Sequence, residues 1–184
     1  MANETPLRAD AQRNRDRILA AAEEVFREKG AGVSLDDVAK RAGVGIGTLY
    51  RRFPTREELL AAAYNARFLA FAENSRAREA ELDSVNALRA YLEELIQYTN
   101  VYRGFAASLG MVLQIGTAGC IATSKEGLRL LDNAQNSGAV RSDISFTDIV
   151  CVATAISLAT ERDSSPQAHI VRLVDVFMKG IGTG

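Results

Sequence analysis

Hydroxyl and guanidinium side chains follow one another over a short stretch that contains Thr48, Tyr50, Arg51 and Arg52. Hydroxyl groups hydrogen-bond phosphate oxygens, and a guanidinium can bind a phosphate or the edge of a guanine through two parallel hydrogen bonds. Gly47 precedes most of these side chains and would let a helix backbone approach a partner closely. These residue types at this spacing favour recognition of a nucleic acid.

Two short helices joined by a tight turn are predicted to position these groups. Ser34 is a preferred N-cap for the first helix, which Gly43 ends, and Gly45 caps the second. Pro54 forbids continuation of the second helix. Residues 34–53 therefore have the spacing of a helix-turn-helix, in which the second helix leaves its N-terminal face exposed for the major groove of DNA.

The rest of the chain has helical patterning and no strand pattern. Apolar residues between 18 and 26 recur on one helical face until Gly30 ends the helix, whereas the first twelve residues lack this periodicity and are expected to be a flexible arm. Thr55 opens a capping box, and its helix is expected to run to near Ala80. Further helices are predicted over about 82–101, 103–115, 124–135, 146–160 and 167–181, with a turn or kink at 116–119. The sequence predicts an all-α fold.

Composition and charge limit the possible classes of protein. The 184 residues are 47% hydrophobic and 24% charged, with a net charge of −1, which is ordinary for a globular chain. The first 56 residues carry more Lys and Arg than Asp and Glu, and the remainder carry fewer. No apolar run approaches the roughly 18 residues of a membrane span, and the N-terminus lacks a signal-peptide pattern, so we expect a cytoplasmic protein without membrane contact.

Catalytic, metal-binding and nucleotide-binding sites are not expected. The single histidine, His169, lacks a glutamate partner at metal-ligand spacing and is expected to be an ordinary surface residue. Cys120 and Cys151 are expected to be buried free thiols, and a redox sensor is the less favoured alternative because no adjacent Lys, Arg or His would lower either pKa. The glycines of 43–47 follow a helix instead of a strand and lack the third glycine of a dinucleotide fingerprint. We therefore predict that the protein is not an enzyme and has no cofactor and no metal.

One segment resembles a known family. Over roughly residues 13–64, where Gly-Thr-Leu-Tyr-x-x-Phe precedes a capped helix, the chain is similar to the TetR (TetR/AcrR) family of bacterial regulators. The positions that carry the resemblance are 17–22, Phe26, Gly30, 34–39, 42–44 and 47–59. The resemblance implies an all-helical homodimer, with a helix-turn-helix DNA-binding domain over 1–54 and a helical ligand-binding and dimerisation domain over 55–184.

The resemblance also implies roles for individual residues. Contacts to phosphate are expected from Ser34, Thr48, Tyr50 and Arg56, and contacts to bases from Ile46, Gly47 and Arg51. Independently of the resemblance, Arg52 and Arg56 add positive charge nearby. The family usually has a serine or similar cap where this chain has Gly45, and often a lysine where it has Ile46. The preferred DNA sequence therefore does not follow from the resemblance.

Aromatic residues cluster from the fourth helix onward. Each alone is an ordinary core residue, but together they are what an apolar pocket between helices uses, with tyrosine hydroxyls fixing the orientation of the ligand. We expect a small, mostly apolar or aromatic effector, with residues 104–119 as one wall. The candidate ligand-binding residues are Phe68, Phe71, Tyr91, Tyr98, Tyr102 and Phe105.

The last two helices carry more apolar residues than one face needs, which indicates a two-fold, four-helix interface between two copies. The resulting hypothesis is a dimeric, sequence-specific regulator, a repressor that a small molecule releases from a near-palindromic double-stranded operator. Two alternatives stay open: the same fold acting as an activator or a chromosome-binding protein, and a helical ligand-binding protein without DNA binding.

Overall fold

The computed structural model describes residues 6–78, 81–100 and 102–183, with side chains from residue 10 onward. Within those ranges the regular structure is helical, apart from one isolated antiparallel bridge between Val140 and Gly182. The helices are α1 (Pro6–Lys29), α2 (Leu35–Ala42), α3 (Ile46–Arg52), α4 (Arg56–Ala63), α5 (Asn65–Arg78), α6 (Ser84–Asn100), α7 (Leu109–Gln114), α8 (Ala118–Asn136), α9 (Phe146–Thr160) and α10 (Pro166–Ile181). The predicted all-α fold is confirmed.

Helix α1 begins earlier than the sequence predicted. It starts at Pro6, so the flexible arm expected over 1–12 is wrong for residues 6–12, and residues 1–5 lie outside the described residues. Proline is preorganised for the first helical position, and the arginine, alanine and glutamine residues that follow are good helix formers. The Arg52 guanidinium donates a hydrogen bond to the carbonyl oxygen of Ala11 over 3.2 Å. Helix propensity and this contact therefore stabilise the helical conformation of residues 6–12, which have no apolar face of their own.

The turn between α2 and α3 depends on Gly43, whose φ is +64°. The Arg17 guanidinium donates a hydrogen bond to the carbonyl oxygen of Ala42 over 2.7 Å. A Cβ added at Gly43 would lie 2.7 Å from the nitrogen of that guanidinium. Glycine is therefore required twice, for the left-handed backbone and for the space that Arg17 occupies. The predicted caps at Ser34 and Gly45 are confirmed.

The long fourth helix that the sequence predicted from Thr55 to near Ala80 is divided at Tyr64 into α4 and α5. Tyr64 has φ −96° and ψ 5°, but the amide of Phe68 still donates to its carbonyl oxygen over 3.0 Å, so the break is local. Helix α8 approaches closely here, because a Cβ added at Gly119 would lie 2.3 Å from the carbonyl oxygen of Asn65. The Gly119 amide donates to the Asn65 side chain over 2.7 Å. A tertiary contact, which local patterning does not report, accompanies the break.

The stretch between α6 and α8 also differs from the prediction. The expected helix over 103–115 is a 3₁₀ turn (Ala106–Ser108) followed by α7, because Gly104 adopts φ +81°, outside the right-handed helical region. Helix α8 begins at Ala118, six residues before the expected 124, since the Thr117 hydroxyl accepts a hydrogen bond from the amide of Cys120 over 3.3 Å. By contrast, α9 spans the predicted 146–160, and α10 begins one residue before the predicted 167.

Helices α5, α6, α8, α9 and α10 form the body of the molecule. Helix α5 packs along α8, and α6 contacts α8, α9 and α10. Gly127 lies where the body is tightest, because an added Cβ would be 2.3 Å from the ring of Phe146 and 2.6 Å from the hydroxyl of Tyr91. No single helix among the described residues is long and apolar enough to cross a membrane; the segments 106–114 and 118–136 pass a test of length and composition only as a pair bent by 96°.

A buried carboxylate crosses the contact between α5 and α8. Glu126 has no solvent exposure and accepts hydrogen bonds from Arg129 (2.7 Å), Arg76 (3.1 Å) and Ser75 (3.3 Å). Burial raises the pKa of Glu126, but the hydrogen bonds from Arg129 and Arg76 outweigh burial and hold this pKa below its ordinary value. The carboxylate therefore ties the two helices together in its charged form.

Candidate DNA-binding surface and effector cavity

Helix α3 has one buried side and one open side. Leu49 is fully buried in the core, and α3 packs on α2, which fixes the rotation of the helix. Gly47 and Arg51 are exposed, Tyr50 is 48% exposed, and Thr48 is half-buried. The structure therefore brings the predicted recognition residues of α3 to one accessible surface. Ile46 is half-buried and packs against the core.

Contacts with α1 hold α3 in place. Besides the hydrogen bond from Arg52 to Ala11, the buried ring of Phe53 lies 5.9 Å below the guanidinium carbon of Arg15. A groove of about 360 Å³ separates the two helices on the open side, and Thr48, Arg51 and Arg52 form its α3 wall. The first helix thus contacts the C-terminal end of the recognition helix, which the sequence analysis did not foresee.

Arg51 has no partner, unlike Lys29 and Arg41 of the same module. Lys29 hydrogen-bonds Asp37 and lowers its pKa, and Arg41 hydrogen-bonds Glu28 and lowers its pKa. Within the described part of the chain, the Arg51 guanidinium has no hydrogen-bond or ion-pair partner. It is available for phosphate or for a base edge.

Ser34 and Arg56, like Arg52, are predicted DNA-binding residues that have intramolecular partners. The Ser34 hydroxyl is exposed and accepts a hydrogen bond from the amide of Asp36 over 3.2 Å as the cap of α2. The half-buried Arg56 guanidinium donates to the carbonyl oxygen of Ala31 over 2.8 Å and also to that of Val33. Arg56 therefore braces the loop between α1 and α2, a role that the sequence analysis missed, and its phosphate contact stays a prediction.

The structure brings four of the six candidate ligand-binding residues to one small cavity. Phe68, Tyr98, Tyr102 and Phe105 line it together with Tyr64 and Arg67. Phe71 and Tyr91 lie outside it: their rings pack 5.0 Å apart between centroids, and the Tyr91 hydroxyl donates to the carbonyl oxygen of Thr123 over 3.0 Å. The cavity volume is about 10 Å³, the space of a single water molecule. A ligand would have to widen it.

The last two helices leave an apolar stripe on the surface. On α9, Cys151 and Ala155 are exposed and Leu158 is 48% exposed, at helical spacings of four and three. On α10, Val176 is 63% exposed, and Val171 is also exposed. Other apolar residues of both helices, such as Ile149 and Val174, are buried within the chain, and several more are half-buried. Burial in one copy thus accounts for part of the apolar surface, as predicted, and leaves the rest uncovered.

The residues considered for metal or redox chemistry lie apart from one another. Among the described residues, no three His, Cys, Asp or Glu side chains group at a possible metal site. Cys120 is buried, and burial raises its pKa. Cys151 is exposed, so its predicted burial is wrong, because it lies on the outward face of α9. His169 hydrogen-bonds Asp163 through Nδ1.

Comparisons with known proteins identify the family. Residues 18–63 match the family model of bacterial regulatory proteins of the tetR family, and residues 83–183 match the C-terminal domain of SbtR-like transcriptional regulators. The chain belongs to the TetR family. It is therefore a DNA-binding transcriptional regulator with a helix-turn-helix. The two matched segments do not test the proposed domain boundary after residue 54, which stays a prediction.

Individual known proteins resemble the chain to different extents. A crystal structure of a TetR transcriptional regulator from Streptomyces coelicolor is 36% identical, covers 92% of this chain and 99% of its own, and has a TM-score of 0.56. RolR, solved with the ligand resorcinol, is 18% identical, with 94% and 89% coverage and a TM-score of 0.69, and shows the shared fold alone. An HTH-type transcriptional regulator of Staphylococcus aureus is 43% identical over 54 residues, which are 29% of this chain and 29% of that protein.

Proposed function

We propose that this chain is a transcriptional repressor that binds a near-palindromic operator as a homodimer and is released by a small molecule. One observation carries the operator-binding part: the unpaired Arg51 lies on the open side of a helix whose opposite side is fixed by buried Leu49. A guanidinium held on a rigid helix can discriminate between bases, because its donors have one orientation relative to the groove.

Each predicted contact follows from the position of its residue on α3. Arg51 reaches a guanine edge, and the hydroxyls of Tyr50 and Thr48 bind phosphate on either side. Gly47, with no atom within 4 Å of an added Cβ, faces the groove where a side chain would keep the helix away from the DNA. Two such helices, one from each copy, read half-sites about 34–36 Å apart on one face of the duplex.

The second copy packs through the stripe on α9 and α10. Leu158 and Val176 are large apolar side chains left in solvent, and a two-fold interface covers the same patch on both partners. The small residues Cys151 and Ala155 let a neighbouring helix approach closely. The dimer sets the separation between the two recognition helices.

Release by a small molecule uses the loop between α6 and α7. Tyr102 and Phe105 of this loop line the aromatic cavity, and the carbonyl oxygen of Arg103 between them accepts a hydrogen bond from the amide of Ala31 over 2.8 Å. The amide of Gly104 donates to the carboxylate of Glu161, just after α9. A ligand that widens the cavity displaces a loop attached to both the DNA-binding module and the dimer helices. By linkage, a ligand that prefers the displaced arrangement weakens operator binding.

Transcription in vitro from a promoter that overlaps the operator tests the repressor assignment. The purified protein is expected to lower transcript yield in proportion to operator occupancy, and Arg51→Ala should require a higher protein concentration for the same effect while remaining folded. An increase of transcript on the same template would instead support an activator. Genome-wide occupancy spread over many scattered sites, and not a few promoters, would favour a chromosome-binding protein.

A further inference from the structure

The aromatic cavity contains a polar group without a partner. Tyr64 is 3% exposed, lines the cavity, and its buried hydroxyl has no hydrogen-bond partner. Buried tyrosine hydroxyls normally have a partner, because leaving one unsatisfied costs free energy. Burial also raises the pKa of Tyr64, so the hydroxyl carries its proton at neutral pH. The Tyr64 hydroxyl is therefore a buried donor without a partner, in a mostly aromatic lining that also contains Arg67.

Two arginines and one glutamate lie near this donor. The Arg67 guanidinium lies at the exposed end of the cavity, with its central carbon 5.2 Å from the centroid of the Tyr102 ring. Arg27 and Glu23 of α1 also act on the Tyr64 hydroxyl, so two cations and one anion face it. An acceptor that carries negative charge would gain from both the hydroxyl and the guanidinium.

The shape of the lining favours a planar ring. Tyr64 packs at 4.5 Å from Tyr102 between ring centroids and at 5.2 Å, edge to face, from Phe105. Phe68 lies 6.3 Å from Phe105 on the same side. The cavity is widened most easily at Tyr98, which is half-buried, and at Arg67, which is exposed. A single aromatic ring entering there would stack between rings that already have offset and edge-to-face geometry.

We propose that the effector of this protein is a small aromatic carboxylate, of the size of benzoate, whose ring lies among Phe68, Tyr98 and Phe105 and whose carboxylate is bound by the hydroxyl of Tyr64 and the guanidinium of Arg67. This inference rests on the ligand-release part of the proposed function and names the chemical class of the ligand. The two groups have separate tasks: the rings select a planar ligand, and the hydroxyl with the guanidinium selects an anion.

Titration calorimetry of the full chain with benzoate tests the inference without DNA. Benzoate is expected to bind at least about tenfold more tightly than cyclohexanecarboxylate, which keeps the charge without the ring, and than benzyl alcohol, which keeps the ring without the charge. Tyr64→Phe and Arg67→Gln should each weaken benzoate binding about tenfold or more. Lys125→Gln removes an exposed cation that does not line the cavity and should leave binding unchanged.

Thermal unfolding identifies any variant that fails to fold, and Tyr64→Phe is the safer one because it removes a hydroxyl without a partner. Equal binding of the three compounds, no binding of benzoate at millimolar concentration, or unchanged binding by Tyr64→Phe would overturn the inference. Failures of the two proposals are distinguishable. Operator binding without benzoate binding overturns only the ligand class, whereas the predicted benzoate selectivity in a protein that binds no operator supports the ligand class and overturns the proposed function.

Discussion

The backbone amide of Ala31 donates a hydrogen bond to the carbonyl oxygen of Arg103 over 2.8 Å. This bond joins the loop between α1 and α2, inside the DNA-binding module, to the loop between α6 and α7, which forms one wall of the aromatic cavity. Arg56 braces the first loop through two further carbonyl oxygens. A displacement of the second loop therefore has a direct backbone route to the module that carries α3.

Gly30→Ala is expected to disrupt the contact between the α1–α2 loop and the α6–α7 loop. Gly30 has φ +89°, and an added Cβ would lie 2.6 Å from the carbonyl oxygen of Arg103. Both the strained backbone and the clash oppose the substitution, so the free energy of unfolding should fall by about 1–3 kcal/mol. Gly32→Ala is the matched control, since nothing lies within 4 Å of its Cβ. Urea unfolding of both variants checks this; equal stabilities would contradict a tight contact at Gly30.

Arg51→Ala is expected to weaken operator binding by about 1–3 kcal/mol and to relax the preference for one base pair in each half-site. The guanidinium has no partner within the described chain, so its removal should leave the unfolding transition unchanged. Tyr50→Phe removes only a hydroxyl and should weaken binding to all DNA sequences alike. Arg162→Ala, an exposed arginine between α9 and α10, is the control. Fluorescence anisotropy on operator and mutated operator duplexes measures both effects, and unchanged affinity in both variants would exclude this face of α3.

Val176→Glu and Leu158→Glu should each convert the dimer to a monomer. Both side chains are large and apolar, and about half or more of each is exposed. Because the interface is two-fold, each substitution would bury two carboxylates without partners, one from each copy. Leu128→Glu, on α8 and 44% exposed, changes an equally exposed leucine outside the stripe and should stay dimeric. Sedimentation equilibrium gives the masses. If Leu128→Glu dissociates and the other two do not, the interface lies elsewhere.

Glu126→Gln tests the buried carboxylate between α5 and α8. The substitution keeps the shape but weakens the charge-assisted hydrogen bonds from Arg129 and Arg76, so the free energy of unfolding at pH 7 should fall by about 1–3 kcal/mol. Because the pKa of Glu126 is lowered in the folded state, its stabilising effect is present above the unfolded pKa of about 4.3 and is lost as pH falls through the folded pKa.

The stability difference between the original protein and Glu126→Gln should therefore shrink between pH 7 and pH 3.5. Urea unfolding at several pH values measures it. Asp143→Asn, which affects an exposed pair with Arg141, provides the comparison and should show little effect at either pH. A difference for Glu126→Gln that stays constant over this range would mean that the carboxylate is not stabilised in its charged form.

The boundaries of the helix-turn-helix were predicted correctly because they depend on interactions between residues that are close in sequence. The caps at Ser34 and Gly45 and the left-handed Gly43 depend on backbone geometry within a few residues, and all three lie where the sequence placed them. The same holds for α9 and α10, whose ends lie within one residue of the prediction.

The errors arose where a distant part of the chain decides the local structure. The break at Tyr64 coincides with the close approach of Gly119, 55 residues away in sequence. The hydrogen bonds from Arg56 to the carbonyl oxygens of Ala31 and Val33 were missed because they require the packed module. Counting aromatics located the cluster but did not separate Phe71 and Tyr91, which lie outside the cavity, from those that line it.

Selection of bound sequences from a random pool of duplex DNA, with the purified full chain at about 0.15 M salt to reduce non-specific phosphate attraction, tests the central claim most directly. We predict a two-fold symmetric consensus with half-sites about one helical turn apart, and we predict that Arg51→Ala loses the preference at one base pair of each half-site. An absence of enrichment, or the same consensus from Arg51→Ala, would contradict the proposal that α3 reads an operator through Arg51.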